Sequence, residues 1–134
     1  MDDYRDAIAT CCKQLRLSSN LAENAMVLTK GETHQEYLYN LFDKEIRYRR
    51  MCRVSKYVST AGFPYESNFS AFNASEVQFP SDVSLDSIKE LKFIENGNNI
   101  IMYGGTGTGK TMLSICIGME ACNRCIPVDR KSVV

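Results

Sequence analysis

The chain has 134 residues, of which 44% are hydrophobic and 24% charged, a composition typical of a globular protein with one ordinary domain or two small ones. Sixteen basic and sixteen acidic residues cancel, so the net charge does not indicate a partner. The apolar runs are too short for a membrane span and the acidic N-terminus lacks an apolar signal core, so we expect a cytoplasmic protein without membrane contacts. In that compartment the six cysteines are expected to be reduced thiols.

The first part of the chain has the apolar spacing of short amphipathic helices. Residues 3–16 place apolar side chains on one helix face, which predicts a first helix. A second helix is predicted from Asn20 to Leu28, with Asn20 as its cap and Lys30-Gly31 as its end.

A third and longer helix is predicted to run from about residue 34 to about Thr60. It follows the capping-box pattern of residues 33–36, and Gly62 with Pro64 would stop it. Its apolar side chains are expected to form one stripe along the helix, made of Tyr37, Leu38, Leu41, Phe42 and Ile46.

The third helix carries a strongly basic segment in an otherwise mildly acidic chain. Residues 44–56 hold six basic side chains and one acidic one. The basic residues are Lys44, Arg47, Arg49, Arg50, Arg53 and Lys56. One interpretation is contact with the phosphate backbone of DNA, without readout of sequence. The other is a solvated helix face that pairs with acidic segments elsewhere in the chain.

The next segment, residues 63–80, is rich in proline and aromatic residues and is predicted to be an ordered linker that docks its rings on a neighbour. Residues 82–95 have the apolar spacing of a fourth helix, with Leu85, Ile88, Leu91 and Ile94 on one face. A turn at 96–98 then leads into a short apolar run, residues 99–103, that is predicted to be a β-strand.

The most informative motif follows that run: residues 104–111 read GGTGTGKT and match the pattern G-x-x-x-x-G-K-[ST]. A chance match is expected on the order of 0.005 times in a chain of this length. Its glycines would bring backbone N–H groups close to phosphate, Lys110 would reach the β- and γ-phosphates, and the Thr111 hydroxyl would bind Mg²⁺. The residues predicted to bind the triphosphate of a nucleotide are Gly104, Gly105, Thr106, Gly107, Thr108, Gly109, Lys110, Thr111 and Met112.

A helix is predicted directly after the loop, because residues 112–122 lack breakers except Gly118. Apolar residues cover most of its circumference, which indicates burial on more than one side. Strand, loop and helix are the order that a phosphate-binding loop requires. A second strand could begin at residues 126–128, although Pro127 fits only an edge strand or a strand start. The fold class predicted is therefore α/β: a small all-α domain at 1–62, an aromatic linker and helix at 63–97, and the strand–loop–helix start of a parallel-sheet core at 98–134.

The order of these segments resembles the IstB/DnaC-like ATPases, the AAA+ helper proteins of transposition and helicase loading. The resemblance rests on Gly62-Phe63-Pro64, on Phe69 and Phe72, on the FIENGNN segment at 93–99, and on the loop itself. It covers nearly the whole chain. By this resemblance, ATP and Mg²⁺ are the cofactors, bound by Gly107, Gly109, Lys110 and Thr111. DNA, a transposase or a replicative helicase are the partners that it implies, with homo-oligomers in full-length members.

The chain departs from the family after the loop. It ends 23 residues beyond Thr111, and its last ten residues, CIPVDRKSVV, contain no apolar strand ending in paired acids. The resemblance places an acidic Walker B strand, a polar sensor and an arginine finger further downstream. We therefore expect a truncated form, a frameshifted form or a fragment that binds ATP but does not hydrolyse it efficiently, with no catalytic residue identified.

Two alternatives remain open at this stage. One is a non-enzymatic helical adaptor that binds DNA or a transposase through residues 1–60 and carries a vestigial loop. The other is a different enzyme with a phosphate-binding loop, such as a small kinase, although the chain leaves no room for a lid. The Cys122-x-x-Cys125 pair lacks a second ligand pair for zinc and is interpreted as incidental. Cys11 and Cys12 are expected in a helical core. His34 is interpreted as a residue of the capping turn.

Overall fold

Six helices of very unequal length make up the described part of the fold. The computed structural model describes residues 3–28, 33–75 and 77–131. Within these ranges the helices are α1 (Asp3–Gln14), α2 (Ser19–Val27), α3 (His34–Ala61), α4 (Leu85–Lys89), α5 (Lys92–Glu95) and α6 (Lys110–Asn123). No helix in the described part of the chain is long and apolar enough to cross a membrane.

The chain divides into two compact units, Met1–Cys52 and Arg53–Val134, with the boundary inside α3. The predicted domain boundaries lie at residues 62 and 97. They stay a prediction, because they describe which segments fold independently of one another. The first unit holds the two short helices and the beginning of α3, and the second holds the linker, α4, α5 and α6.

The core of the first unit is a small apolar cluster where α1 and α2 pack together. Its buried members are Cys12, Leu21, Ala22 and Leu41. Cys12 therefore lies in the helical core as predicted, whereas its neighbour Cys11 is exposed, because adjacent residues point about 100° apart around a helix. The second helix begins two residues earlier than predicted, with Ser18 rather than Asn20 as its N-cap residue. Its expected end at Lys30-Gly31 lies outside the described residues.

The long helix α3 begins and ends as its sequence predicts. The Thr33 hydroxyl accepts a hydrogen bond from the Glu36 backbone N–H at 3.2 Å, which satisfies one free donor of the first turn. At the other end Gly62 follows Ala61 with a φ of +69°, a left-handed conformation that glycine adopts without steric cost.

Only part of the predicted apolar stripe of α3 packs within the first unit. The row that makes contacts is spaced by four residues: Tyr37 donates to the Ala25 carbonyl, Leu41 enters the core, and Glu45 binds Ser18. The neighbouring row, Leu38, Phe42 and Ile46, is exposed. Of the predicted apolar stripe, Tyr37 and Leu41 therefore pack on the core, whereas Leu38, Phe42 and Ile46 do not, and the contacting row continues with the polar Glu45.

The second unit is organised around α6. Its buried residues, Leu113, Ile115, Cys116, Gly118, Ala121 and Cys122, are distributed around the helix, which confirms burial on more than one side. Gly118 allows a close approach of the linker, since a Cβ at this position would lie 2.7 Å from the ring of Phe63. The ring of Phe72 lies 3.4 Å from the corresponding point at Gly109. Two linker aromatics therefore dock on α6 and its start, as expected.

The helix predicted over 82–95 is instead two short helices, α4 and α5. They are separated at Leu91, which has a φ of +58° and a side chain that is only 2% exposed. Burial of this leucine offsets the cost of a left-handed conformation that non-glycine residues rarely adopt. The Ser84–Ser87 capping box fixes the start of α4. Apolar spacing does not reveal such a break, because Leu91 keeps its place on the apolar face.

The two strands expected around the loop are not observed, and the described residues contain no β-strand. Residues 99–103 and 126–128 are irregular. In the first segment Ile101 and Tyr103 are 87% and 93% exposed, while Ile100 and Met102 are half-buried. The alternation is that of a strand, but a strand is defined by hydrogen bonds to a neighbouring strand. The α/β prediction is therefore confirmed in its helical part only.

Candidate functional site

The glycine-rich loop joins the irregular segment 99–103 to the start of α6. Three of its glycines adopt positive φ angles: +147° at Gly104, +79° at Gly107 and +86° at Gly109. Residues with side chains are strained in these conformations, so glycine is required at each of them. At Gly104 space is short as well, since a Cβ would lie 3.3 Å from Thr108 Oγ1. The loop is thus a tight turn that only these residue types allow.

The ammonium group of Lys110 lies within the curve of the loop. Its Nζ donates to the carbonyl oxygens of Gly104 at 2.9 Å and Gly105 at 2.5 Å, and to Thr108 Oγ1 at 3.2 Å. The Thr108 hydroxyl in turn donates to the Gly105 carbonyl at 2.9 Å. A cation is therefore surrounded by oxygen atoms that can be exchanged for the oxygens of a phosphate.

The start of α6 supplies backbone donors next to that cation. The first bond within the helix runs from the Leu113 N–H to the Gly109 carbonyl at 2.9 Å. The N–H groups of residues 109–112 therefore have no acceptor within the helix, and Gly109 contributes no side-chain cap. Free N–H groups and the positive end of the helix dipole favour an anion at this position.

A cavity of about 260 Å³ opens beside the loop. Its lining consists of Gly107, Thr108, Gly109, Lys110, Thr111 and Met112 from the loop and helix, and of Tyr65 from the linker. Among the residues that the structure describes, Lys110 is the only charged side chain in this lining, and none of them contributes a carboxylate to it. The cavity therefore carries a positive charge and favours an anionic ligand.

A second cavity, of about 390 Å³, lies along the later turns of α6 and suits an anion poorly. Its charged lining side chains are Glu66 and Glu120, with polar groups from Ser67, Asn68 and Asn123. Glu120 also pairs with Arg124 at 2.7 Å. Acidic side chains repel phosphate, so the loop cavity is the better candidate for a nucleotide.

The predicted metal ligand, Thr111, is the second residue of α6 and its side chain is exposed. A phosphate-bound Mg²⁺ needs few protein ligands, because the ion keeps several waters and takes other oxygens from the phosphates. No group of three or more His, Cys, Asp or Glu side chains in the described part of the chain is arranged to hold a metal ion. Cys122 and Cys125 form no such group, and burial raises the pKa of the Cys122 thiol.

The structure brings the predicted loop residues 104–112 together at one place, but it distinguishes among the basic residues of α3. Arg49 donates to Glu45 Oε1 and to the Arg16 carbonyl, both at 2.8 Å, so its guanidinium is used within the first unit. Arg47 pairs with Asp43 at 2.9 Å but remains largely exposed. Lys44, Arg50, Arg53 and Lys56 are also exposed.

Sequence reasoning missed Tyr65 as a residue of the cavity. It lies 39 positions before Gly104, inside a linker with five aromatic residues, and the sequence does not indicate which of the five lines the cavity. Its position depends on how the linker folds back on α6, which no spacing rule encodes. His34 begins α3 and is exposed, as expected of a residue of the capping turn.

Comparison with known protein families decides the relationship. Residues 10–134 match the model of the family described as IstB-like ATP binding protein. The chain belongs to this family. The match covers both units, so it includes the helical N-terminal part as well as the loop.

Several curated relatives come from bacterial insertion sequences. The chain is 28% identical over 126 residues to a putative ATP-binding protein of insertion sequence IS5376 from Geobacillus stearothermophilus, and this alignment covers 90% of the chain and 49% of the relative. It is 24% identical to an IS21-like putative ATP-binding protein from Bacteroides fragilis, covering 90% and 48%. The chain thus spans about half the length of these relatives. Membership of this family supports ATP binding.

Proposed function

We propose that this chain binds the triphosphate of ATP, together with Mg²⁺, through the loop at residues 104–111 and the first turn of α6. The observation that carries the proposal is the position of Lys110, whose ammonium lies inside a turn made by three positive-φ glycines. The glycines bring backbone N–H groups to the phosphates, Lys110 neutralises the β- and γ-phosphates, and the Thr111 hydroxyl binds the metal ion.

We further propose that residues 1–134 by themselves bind ATP but hydrolyse it slowly. Hydrolysis needs a group that positions and activates water in addition to the phosphate cradle. The lining of the loop cavity offers no carboxylate for this purpose among the described residues. The chain would therefore supply recognition of the nucleotide, and the names of its relatives assign ATP binding to proteins of insertion sequences.

The direct test is calorimetric titration of Mg·ATP into the wild-type chain and into Lys110→Ala. Loss of a charge-assisted contact to phosphate is worth roughly 1.5–3 kcal/mol, so affinity should fall about tenfold or more. Lys92→Ala is the matched control, because this exposed lysine on α5 pairs with Glu90 and does not line the cavity. Equal ATP affinity in wild type and Lys110→Ala would reject the proposed site.

A second candidate function is contact with DNA by α3, as an adaptor for a transposase or replicative helicase. Five exposed basic residues recur at every third position of this helix: Lys44, Arg47, Arg50, Arg53 and Lys56. Each member is a neighbour of the next, and because three residues advance about 300° around a helix, the row winds by about 60° per step over roughly 18 Å of helix axis. Arg49 is left out of the proposed set because Glu45 and Arg16 hold it. Two or three successive members, such as Arg50, Arg53 and Lys56, can neutralise phosphates of a nucleic-acid backbone without reading the bases.

A further inference from the structure

Tyr65 is the aromatic side chain that borders the loop cavity. It lines the cavity together with residues 107–112, and 48% of its surface is exposed. Met112 is the other large apolar side chain in the lining. The phosphate-binding groups lie at the loop, so the rest of a bound nucleotide must extend over neighbouring parts of the lining, where Tyr65 offers a flat apolar surface.

Two contacts hold the linker to α6 on either side of Tyr65. Before it, the ring of Phe63 lies against the backbone of α6 at Gly118, where even a Cβ would be only 2.7 Å from the ring. After it, the Cys116 thiol lies 3.7 Å from the Ser67 hydroxyl. Pro64 additionally restricts the backbone just before Tyr65. Tyr65 is therefore anchored to the same helix that begins with Lys110.

A third contact ties the linker to the loop itself. The ring of Phe72 lies 3.4 Å from the position of a Cβ at Gly109, the N-cap residue of α6. The linker thus approaches α6 at Gly118, Cys116 and Gly109, and Tyr65 is held beside the cavity before any ligand binds. A preorganised aromatic ring loses little conformational freedom on binding and contributes most of its contact energy to affinity.

From this geometry we infer that Tyr65 is a stacking platform for the base of the nucleotide whose phosphates the loop binds. The inference rests on the proposed ATP site and specifies what the site recognises beyond phosphate. The ligand class is a purine nucleoside triphosphate, since a purine presents the larger aromatic face. Stacking uses the face of the base rather than its edge, so Tyr65 separates nucleotides from inorganic polyphosphate and does not by itself separate ATP from GTP.

The test compares Mg·ATP with Mg·tripolyphosphate, which has the phosphates but no base, on the full chain. Tyr65→Leu should weaken ATP binding roughly tenfold or more and change tripolyphosphate binding by less than about twofold. Tyr65→Phe keeps the ring and should bind both ligands like wild type. Lys110→Ala should lose both ligands. Wild-type ATP affinity in Tyr65→Leu, or an equal loss of both ligands, would overturn the stacking role.

These outcomes separate the two proposals. ATP binding that is lost in Lys110→Ala but retained in Tyr65→Leu rejects the platform alone. ATP binding that is absent in wild type, or unchanged in Lys110→Ala, rejects both. Tyr65→Trp provides a second readout, because the chain has no other tryptophan. Its fluorescence should change on addition of ATP and not of tripolyphosphate, and the same response to both ligands contradicts stacking.

Discussion

At the residue scale, Glu45 is the buried charged side chain of the described chain, only 4% exposed. Its carboxylate accepts hydrogen bonds from the Ser18 backbone N–H, the Ser18 hydroxyl and Arg49. Burial alone would raise the pKa of Glu45, but these hydrogen bonds and the nearby guanidinium outweigh it and hold the pKa below its usual range. Because the carboxylate also lies at the N-terminus of α2, the helix dipole favours its charged form.

The first unit should therefore lose stability in acid through Glu45. The pKa is lower in the folded than in the unfolded chain, so the carboxylate stabilises the fold above its ordinary pKa near 4.5 and stops doing so as the pH falls below it. Glu45→Ala leaves the donors of Ser18 and Arg49 without this acceptor and should cost about 1–3 kcal/mol at neutral pH. Urea unfolding followed by circular dichroism at pH 7 and pH 3.5 measures both effects.

Glu23→Gln on α2 is the matched control for this experiment, because Glu23 is an exposed carboxylate of the same unit. Glu45→Gln should be less stable than wild type at pH 7 and should show a smaller loss of stability between the two pH values. The account of Glu45 is wrong if Glu45→Gln and Glu23→Gln have the same stability and the same pH dependence.

Single residues differ in how far their sequence context determines their role. Lys110 and the glycines of the loop could be predicted, because the motif specifies backbone angles and charge over eight adjacent positions. Tyr65 and Glu45 could not, since each acquires its role from residues far away in sequence, at α6 and at Ser18. Leu91 similarly looked like one more apolar residue of a helix, but its left-handed backbone is imposed by burial.

At the element scale, the two ends of α3 could be predicted from the sequence, but the side chains through which it packs could not. The Thr33 cap and Gly62 fixed the ends of the helix through local hydrogen bonding and backbone preference. Apolar spacing groups two adjacent rows of side chains into one stripe and does not show that only the row with Tyr37 and Leu41 makes contacts, or that the polar Glu45 continues that row. The strand predicted at 99–103 is not observed for a related reason. The alternation of apolar side chains is a local property of the sequence, whereas the hydrogen bonds that define a strand come from another segment.

The basic row of α3 makes a prediction at this scale. Arg53→Glu combined with Lys56→Glu should weaken binding to duplex DNA of any sequence and should reduce the slope of log affinity against log salt by about two units. Arg5→Glu combined with Lys13→Glu changes the net charge equally but on α1, and should have a smaller effect. Fluorescence anisotropy over a series of salt concentrations measures the slope. Binding that is independent of salt, or equally weakened by both pairs, would contradict phosphate contact by α3.

At the scale of the whole molecule, the two units differ in the contacts that hold them together and in the candidate binding residues that they carry. The first unit is held by a small apolar cluster and the Glu45 hydrogen bonds, and it carries much of the basic row. The second unit packs the linker around α6 and carries the loop. The match to the IstB-like family spans both. ATP binding is therefore expected to stabilise the second unit directly, by contacts at residues 104–112.

Hydrogen exchange with and without saturating Mg·ATP tests whether ATP contacts residues 104–112. Exchange of the backbone amides at 105–112 should slow, by up to about 100-fold when ATP is at 100 times its dissociation constant, because opening of the loop then requires release of the ligand. Amides of α1 should be unchanged, and Lys110→Ala should show no slowing at the same ATP concentration. Protection centred outside residues 104–113, or none at a concentration that saturates calorimetric binding, would contradict the assignment of the ATP site to this loop.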